Sequence, residues 1–146
     1  MYLTLSKKIS ILSFLVMFFT LVKSQNFSLV QQNSIQVIVN NDTLINPWTG
    51  GFNSAQISKI DLNNDQIEDL FVFDRSSDKV ITFISENNNF IYAPEYERLF
   101  PPDLKNWVLL RDFNNDGKKD IFSYVSGGIG LWKNTSIGNE LSFNSL

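Results

Sequence analysis

The alternation of apolar and polar residues after residue 25 is typical of short β-strands joined by turns. Runs rich in Val, Ile, Phe and Tyr are interrupted by Asn, Asp, Gly or Pro. Strands are therefore predicted at residues 27–30, 35–39, 56–60, 70–74, 79–85, 90–93, 107–111, 121–125 and 131–133, with a further strand beginning within residues 141–146. The pattern predicts an all-β fold.

Two of the polar turns are copies of each other. Residues 61–69 read Asp-Leu-Asn-Asn-Asp-Gln-Ile-Glu-Asp, and residues 112–120, at an offset of 51, read Asp-Phe-Asn-Asn-Asp-Gly-Lys-Lys-Asp. Each copy leads into an apolar run that favours a strand. Four short strands in about 50 residues correspond to one antiparallel propeller blade, so the sequence predicts a repeating four-stranded unit.

The repeated loops are candidate calcium sites. Each has side-chain oxygens at positions 1, 3, 5 and 9, and the carbonyl of position 7 is expected to turn inward. Calcium prefers six to eight oxygen ligands, which such a loop can supply. The predicted ligands are Asp61, Asn63, Asp65, Ile67 and Asp69 in the first loop, and Asp112, Asn114, Asp116, Lys118 and Asp120 in the second, with Ile67 and Lys118 contributing backbone carbonyls.

Two positions distinguish the loops. Gly117 at position 6 suits a sharp left-handed turn, whereas Gln66 in the first loop adopts that conformation at a cost of about 1 kcal/mol. The first loop is the more acidic, with Glu68 where the second has Lys119. These two effects on calcium affinity oppose each other.

Two alternatives to this interpretation are a metal-free turn and an EF-hand. Loops rich in Asn and Asp also form metal-free turns, because their side chains bond to nearby backbone groups. An EF-hand requires a bidentate Glu at position 12 between two helices, but Val72 and Ser123 occupy that position here, within predicted strands. Two copies in register, each followed by a strand, favour calcium over simple turns.

The loop pattern D-x-N-x-D-G-x-x-D feeding a strand resembles the FG-GAP (VCBS-type) repeat of integrin-like β-propellers. The resemblance implies that each loop joins the first two strands of a blade and binds calcium. The stretch from Asn46 to Trp132 is also similar to the N-terminal part of bacterial secreted proteins that carry such repeats and a type IX secretion C-terminal sorting domain. The implied fold is a partial β-propeller of about two antiparallel four-stranded blades.

The first 24 residues predict a secretory signal peptide. Lys7 and Lys8 precede an apolar run at residues 9–22, and cleavage is predicted before Gln25. The run is shorter than the roughly 20 residues of a membrane-spanning helix, which argues against an anchor. We therefore expect a secreted protein, extracellular or at the cell surface, with no membrane insertion after cleavage.

The predicted organisation has four parts. Residues 1–24 are the signal peptide, residues 25–54 hold N-terminal strands and a loop, residues 55–100 form the first repeat, and residues 101–146 form a truncated second repeat. Closed propellers use four to eight blades, so the chain is expected to be a fragment of a longer protein.

The composition of the chain excludes several classes of function. The chain has no His and no Cys, which removes imidazole bases, thiol nucleophiles and the usual zinc ligands. Its net charge is −3, which argues against nucleic acid as a partner. We expect a non-catalytic, calcium-binding module for extracellular binding or adhesion, with a protein or glycan ligand. The alternative is an accessory propeller of a secreted polysaccharide-active enzyme.

Overall fold

A computed structural model describes Lys7 and residues 27–146 of the chain. The predicted signal peptide lies outside the described residues except for Lys7. The chain divides into two compact units, Met1–Ser34 and Ile35–Leu146. In the part of the chain that is described, no helix is long and apolar enough to cross a membrane.

The first unit corrects one strand prediction. Residues 27–30 have no regular secondary structure, and their side chains are exposed. Apolar residues form a strand only where a neighbouring strand accepts their backbone hydrogen bonds, and residues 27–30 have no such partner among the described residues. The strand predicted at residues 35–39 is shorter than expected and is confined to β1, Ile38–Val39.

A small hairpin opens the second unit. Strand β1 pairs antiparallel with β2, Asp42–Thr43, across a turn in which Asn40 and Asn41 have φ angles of 51° and 69°. Positive φ at both central residues is the geometry of the two-residue hairpin turn that Asn favours.

Two four-stranded antiparallel sheets make up the rest of this unit. The first contains β3 (Ala55–Ile60), β4 (Asp69–Asp74), β5 (Lys79–Glu86) and β6 (Asn89–Tyr92), side by side in chain order. The second contains β7 (Val108–Arg111), β8 (Asp120–Val125), β9 (Gly128–Asn134) and β10 (Phe143–Ser145), again in chain order. The predicted all-β fold of antiparallel four-stranded units is confirmed, and no closed ring forms among residues 27–146.

The sheets share a hydrophobic core. Phe71 and Phe73 of β4 lie fully buried against Val108 of β7 and Ile121 of β8. The connection between the sheets, which contains a single 3-10 turn at Glu97–Leu99, adds to the core. Burying a side chain the size of Phe stabilises the fold by roughly 1.5 to 3 kcal/mol. Burial of this core is therefore the main contribution to the free energy that holds the sheets together.

Polar contacts set the register between the sheets. The Gln56 amide pairs with the backbone of Val108, accepting its N–H at 3.1 Å and donating to its carbonyl. The Gln56 side chain of β3 thereby bonds the two backbone groups of Val108 that a strand beside β7 would otherwise bond. Arg75 Nε donates to the Asn106 carbonyl at 2.8 Å, and the Asn106 N–H donates to Asp78 Oδ1 at 2.8 Å.

The segment before β3 is attached at both edges of the first sheet. Asn46 donates to the Phe90 carbonyl at 2.7 Å and accepts the Tyr92 N–H at 2.9 Å, which satisfies the free edge of β6. At the other edge, the Ser54 N–H beside β3 donates to the carboxylate of Asp74, the last residue of β4, at 2.9 Å. That bond, with further bonds from the Ser76 and Ser77 turn, holds the Asp74 pKa well below its usual range.

Trp48 lies half exposed in the loop at residues 46–51. Its side chain is 43% exposed, and its indole Nε1 donates to the Ile35 carbonyl at 2.8 Å. The ring therefore ties the loop at residues 46–51 to the start of the second unit instead of filling the core.

Gly130 gives a test of the packing between the second sheet and the core. A Cβ atom at this position would lie 2.7 Å from both Trp132 and Val125 side-chain atoms. Because Trp132 packs against the shared core, its ring cannot move freely. We expect Gly130→Ala to lower the free energy of unfolding by about 1 to 3 kcal/mol, measured by urea denaturation.

Gly128→Ala is the matched control, because a Cβ at Gly128 meets nothing within 4 Å. Equal stability of the two variants would contradict the tight packing of Trp132 over Gly130.

Candidate metal-binding loops

The two acidic loops occupy the same place in their sheets. Residues 61–68 connect β3 to β4, and residues 112–119 connect β7 to β8. Asp69 and Asp120 are the first residues of β4 and β8, and each pairs across the sheet with the last residue of the preceding strand. Each loop therefore leaves and re-enters the sheet at one paired position.

The first carboxylate closes each loop. Asp61 accepts the N–H groups of Asp65 at 3.2 Å and Gln66 at 2.9 Å. In the second loop, Asp112 accepts the N–H groups of Asp116 at 3.2 Å and Gly117 at 2.8 Å. The backbone of both loops thus curls around the side chain at position 1.

The residues at positions 3 and 5 of the first loop are hydrogen-bonded to each other. The Asn63 amide donates to Asp65 Oδ2 at 2.9 Å, and its oxygen accepts the Asp65 N–H at 3.1 Å. Asp65 Oδ1 accepts the N–H of Ile67 at 2.7 Å. Ile67 therefore enters this network through its N–H group.

The second loop repeats this arrangement. The Asn114 amide donates to Asp116 Oδ2 at 2.8 Å, its oxygen accepts the Asp116 N–H at 3.1 Å, and the Lys118 N–H donates to Asp116 Oδ1 at 3.0 Å. The bond from Lys118, followed by that from Asn114, lowers the pKa of Asp116. The two loops therefore match bond for bond.

The last carboxylate anchors each loop inside the sheet. Asp69 is fully buried and accepts the Leu62 N–H and the Ser85 N–H, both at 2.8 Å. Asp120 is equally buried and accepts the Phe113 N–H at 2.9 Å and the Asn134 N–H at 2.8 Å. Each carboxylate joins the start of its loop to the third strand of its sheet.

Burial raises the pKa of Asp69, although the Ser85 and Leu62 N–H groups act against this. The nearby charges of Asp65 and Asp61 raise it further. Among the described residues, no lysine or arginine forms an ion pair with these three carboxylates, whereas Lys133 lies 3.6 Å from Asp116 in the second loop. The first loop thus concentrates negative charge that its own surroundings leave uncompensated.

Left-handed backbone recurs at the same positions in both loops. Gln66 has a φ of 70° and Gly117 a φ of 84° at position 6, and Asn64 and Asn115 have φ of 58° and 61° at position 4. The left-handed turn predicted for Gly117 is confirmed. Gln66 adopts the same conformation despite its side chain, so the first loop carries backbone strain that the second avoids.

The charges at position 8 neutralise each other. Glu68 of the first loop forms a salt bridge with Lys119, its counterpart in the second, and Lys59 Nζ lies 3.8 Å from Glu68 Oε2. Lys119 also donates to the Lys59 carbonyl at 2.9 Å. The hydrogen bond from Lys119 lowers the pKa of Glu68. Glu68 therefore does not give the first loop the additional negative charge that its sequence suggested.

The chemistry of these donors fits calcium. Each side-chain oxygen at positions 1, 3 and 5 accepts one N–H group, and a carboxylate offers about four lone-pair sites in all. Hard oxygen donors of this kind suit calcium. Within Lys7 and residues 27–146, however, no three acidic side chains are gathered into a group that could hold a metal ion. Calcium at these residues therefore stays a prediction.

A cavity of about 310 Å³ lies between the two loops. Residues from both loops line it, together with the end of β3 and of β9: Ile60, Asp61, Asn64, Gln66, Glu68, Gly117, Lys118, Lys119 and Asn134. The loops are therefore neighbours in space, and the Glu68–Lys119 pair links them across this cavity.

A comparison with protein families places these loops in a known context. Residues 61–123 match the model of the FG-GAP-like repeat family. The FG-GAP-like segment begins at Asp61, the first residue of the first loop, and ends within β8, so it contains both loops. The match supports the repeat family expected from the sequence, whereas the VCBS type, the propeller ring and the type IX secretion context stay predictions. No curated protein and no solved structure matches the chain.

Sequence reasoning missed three features of the two sheets and their loops. It treated Asp69 and Asp120 only as ligands, although both anchor a loop to a third strand. It did not pair Glu68 with Lys119, although opposite charges at one repeat position were a usable signal. The bond between the Gln56 side chain and the backbone of β7 had no sequence signal.

The strain at Gln66 can be tested by exchanging the residues at position 6. We expect Gln66→Gly to raise the free energy of unfolding by about 1 kcal/mol and Gly117→Ala to lower it by a similar amount. A Cβ at Gly117 meets nothing within 4 Å, so its effect reports backbone conformation alone. Chemical denaturation in the presence of chelator measures both changes.

Gly51→Ala serves as a control, because its Cβ also meets nothing within 4 Å and its φ lies outside the left-handed region. If Gly117→Ala destabilised the protein no more than Gly51→Ala, left-handed strain in the loops would be ruled out.

The anchoring carboxylates can be tested without any metal. Asn can accept only one of the two N–H groups that each Asp satisfies, so Asp69→Asn and Asp120→Asn leave a buried donor unpaired. We expect each to destabilise the apo protein by about 1 to 3 kcal/mol. The loss at Asp69 should be the smaller, because neutralising it also removes the repulsion from Asp61 and Asp65.

Asp103→Asn, at an exposed carboxylate outside the loops, is the control. Melting temperatures of Asp69→Asn and Asp120→Asn equal to that of Asp103→Asn would show that the buried bonds do not anchor the loops.

Proposed function

We propose that the protein is a secreted, calcium-binding, non-catalytic repeat module for extracellular binding or adhesion. The observation that carries this proposal is the agreement of the two loops, whose hydrogen bonds match at positions 1, 3, 5 and 9. The two copies share their oxygen donors and the Asn at position 4, and both fold to one geometry. Calcium selection on those donors explains why they are the positions that agree.

Asp61, Asn63, Asp65 and Asp69 would hold calcium in the first loop, together with the Ile67 carbonyl. Asp112, Asn114, Asp116 and Asp120 would hold it in the second, together with the Lys118 carbonyl. The bound cation would neutralise the carboxylates crowded into each loop. Burial raises the pKa of Asp69, and the nearby charges of Asp65 and Asp61 raise it further, which supports crowding of negative charge in the first loop.

The metal's role in this proposal is structural. Each loop joins two strands that contribute Ile60, Phe71, Leu110 or Ile121 to the shared core. Holding the loop closed keeps those strands in register, so calcium would stabilise the surface that the sheets present. The ligand of that surface would be an extracellular protein or glycan.

Two features of the sequence support the rest of the proposal. The charged and apolar pattern of residues 1–24 supports secretion. The absence of His and Cys from the chain supports a non-catalytic role, because it removes the commonest general base and the thiol nucleophile.

The calcium proposal predicts a metal-dependent rise in stability. Extracellular calcium modules bind at about 0.1 to 1 mM. At about 1 mM calcium, each site would then add roughly 0.4 to 1.4 kcal/mol to the free energy of unfolding. Thermal melting with calcium and with chelator, combined with calorimetric titration, measures this response.

Variants assign the response to the loops. Asp65→Ala and Asp116→Ala should each lose the part that belongs to their own loop, and the double variant should lose all of it. Asp103→Ala, outside the loops, should keep the full response. The proposal fails if calcium leaves the wild-type melting temperature unchanged, or if the double variant responds like the wild type.

A further inference from the structure

Glu97 lies in the connection between the two sheets. It is the first residue of the 3-10 turn Glu97–Leu99, which follows β6 and packs against β5. The residue after the turn, Phe100, is buried and contacts Phe71 of the first sheet and Phe143 of the second, with ring centroids 4.9 Å and 5.2 Å apart. The position of this turn therefore determines how Phe100 closes the core between the sheets.

The carboxyl group of Glu97 folds back onto the first sheet. It is hydrogen-bonded to the Tyr92 side chain at the end of β6 and to the Thr82 backbone in β5. Thr82 is itself bonded to Ala93, which follows β6. Its hydroxyl donates to the Ala93 carbonyl at 2.6 Å, and its carbonyl accepts the Ala93 N–H at 2.9 Å. The carboxyl group of Glu97 thus holds the turn against the point where the chain leaves the first sheet.

One oxygen of this carboxyl group is enclosed without a partner. Glu97 Oε1 is buried and has no hydrogen-bond partner in the described part of the chain. Buried charged oxygens are normally bonded, because removing a charge from water is costly without compensating bonds. A neutral carboxyl group loses much less on burial, so the enclosed position favours the protonated form of Glu97.

No ion pair holds Glu97 in its charged form. Among the described residues, no lysine or arginine forms a salt bridge with it. Burial raises the pKa of Glu97, whereas the bond with the Tyr92 side chain lowers it. The charge of Lys79 and the bond with the Thr82 backbone also lower this pKa, and the charge of Glu95 raises it. Burial is the largest of these effects, and the pKa of Glu97 is raised.

A cavity of about 460 Å³ opens beside the turn, and Glu97 lies in its wall. Lys79 and Arg98 line the same cavity. A carboxylate that turned into this cavity would therefore meet water and two cations. The titratable and charged groups around Glu97 are Tyr92 of β6, Lys79 of β5, Glu95 and Arg98 of the connection, and Asp78 from the turn before β5.

We propose that Glu97 is a pH-dependent switch that controls how the connection between the two sheets packs on the first sheet. Protonated, its carboxyl group stays enclosed and holds the 3-10 turn closed. Ionised, the carboxylate turns into the cavity, and the turn loosens together with the Phe100 ring that follows it. The two sheets are therefore joined more firmly in acid than at neutral pH. The proposal does not depend on calcium binding.

The sign of the pH dependence follows from proton binding. Between the ordinary glutamic acid pKa of 4.5 and the raised pKa of Glu97, the folded protein binds more protons than the unfolded chain. The stability that the protonated switch contributes is therefore complete at low pH. It is lost as the pH rises through the raised pKa.

Glu97→Gln tests the switch, because the amide keeps the shape of the carboxyl group and one carbonyl oxygen but does not ionise. Urea denaturation in chelator, from about pH 4 to about pH 8, compares the unfolding constants of wild type and variant. We expect the wild type to lose stability relative to Glu97→Gln as the pH rises. Glu86→Gln, at an exposed residue at the end of β5, is the control and should follow the wild type.

Hydrogen exchange gives a local measurement. The Leu99 N–H donates to the Tyr96 carbonyl at 3.0 Å and the Phe100 N–H to the Glu97 carbonyl at 3.4 Å, so both amides report opening of the turn. After correction for the intrinsic pH dependence of exchange, their protection should fall with rising pH in the wild type and stay constant in Glu97→Gln. Tyr92→Phe removes a bond that lowers the pKa of Glu97, so it should shift this fall to higher pH.

The proposal is overturned if the stability difference between Glu97→Gln and the wild type is the same across the pH range, or if Glu86→Gln changes the pH dependence as much as Glu97→Gln. It is also overturned if the protection of Leu99 and Phe100 in the wild type does not fall as the pH rises, or if Tyr92→Phe moves the fall to lower pH.

Discussion

The buried carboxylate at the end of each acidic loop is the interaction on which the local structure depends. Asp69 and Asp120 each accept one N–H from the start of their loop and one from the third strand. A buried backbone donor that lacks a partner is costly, so these bonds hold three segments of each sheet together. Opening the loop would therefore break the bond between its start and this buried carboxylate.

The carboxylates of each acidic loop have two different roles. The carboxylates at positions 1 and 5 lie on the exposed part of the loop and organise its backbone. The carboxylate at position 9 lies inside the sheet, where burial raises the pKa of Asp69. A cation near the loop would act on both groups, because it would offset the charge of the exposed oxygens and the repulsion they exert on the buried one.

Two kinds of contact join the two sheets: apolar side chains at the centre and polar side chains at the margins. Phe71 and Phe73 supply buried area at the centre, while Gln56 and the Glu68–Lys119 pair act at the margins. Apolar burial is not directional, so it does not select a register by itself. The hydrogen bonds of Gln56 with the β7 backbone are directional, and they align β3 beside β7.

Much of the fold and of the candidate site could be predicted from the sequence. Alternating apolar residues and Asn-rich turns predicted the strands of both sheets, because side-chain period and turn chemistry are local properties. The offset of 51 located both loops, and Gly117 indicated the left-handed turn that Gln66 also adopts. These features depend on residues that are close in the chain.

Tertiary structure alone decided which surfaces meet. Residues 27–30 have strand-like composition but no neighbouring strand among the described residues, and Trp48 bonds to the Ile35 carbonyl instead of entering the core. Equivalent residues such as Ile57 and Val108 differ in burial because only one of them faces another sheet. Burial and ion pairing depend on what lies across the contact, and that information is not local to any stretch of the chain.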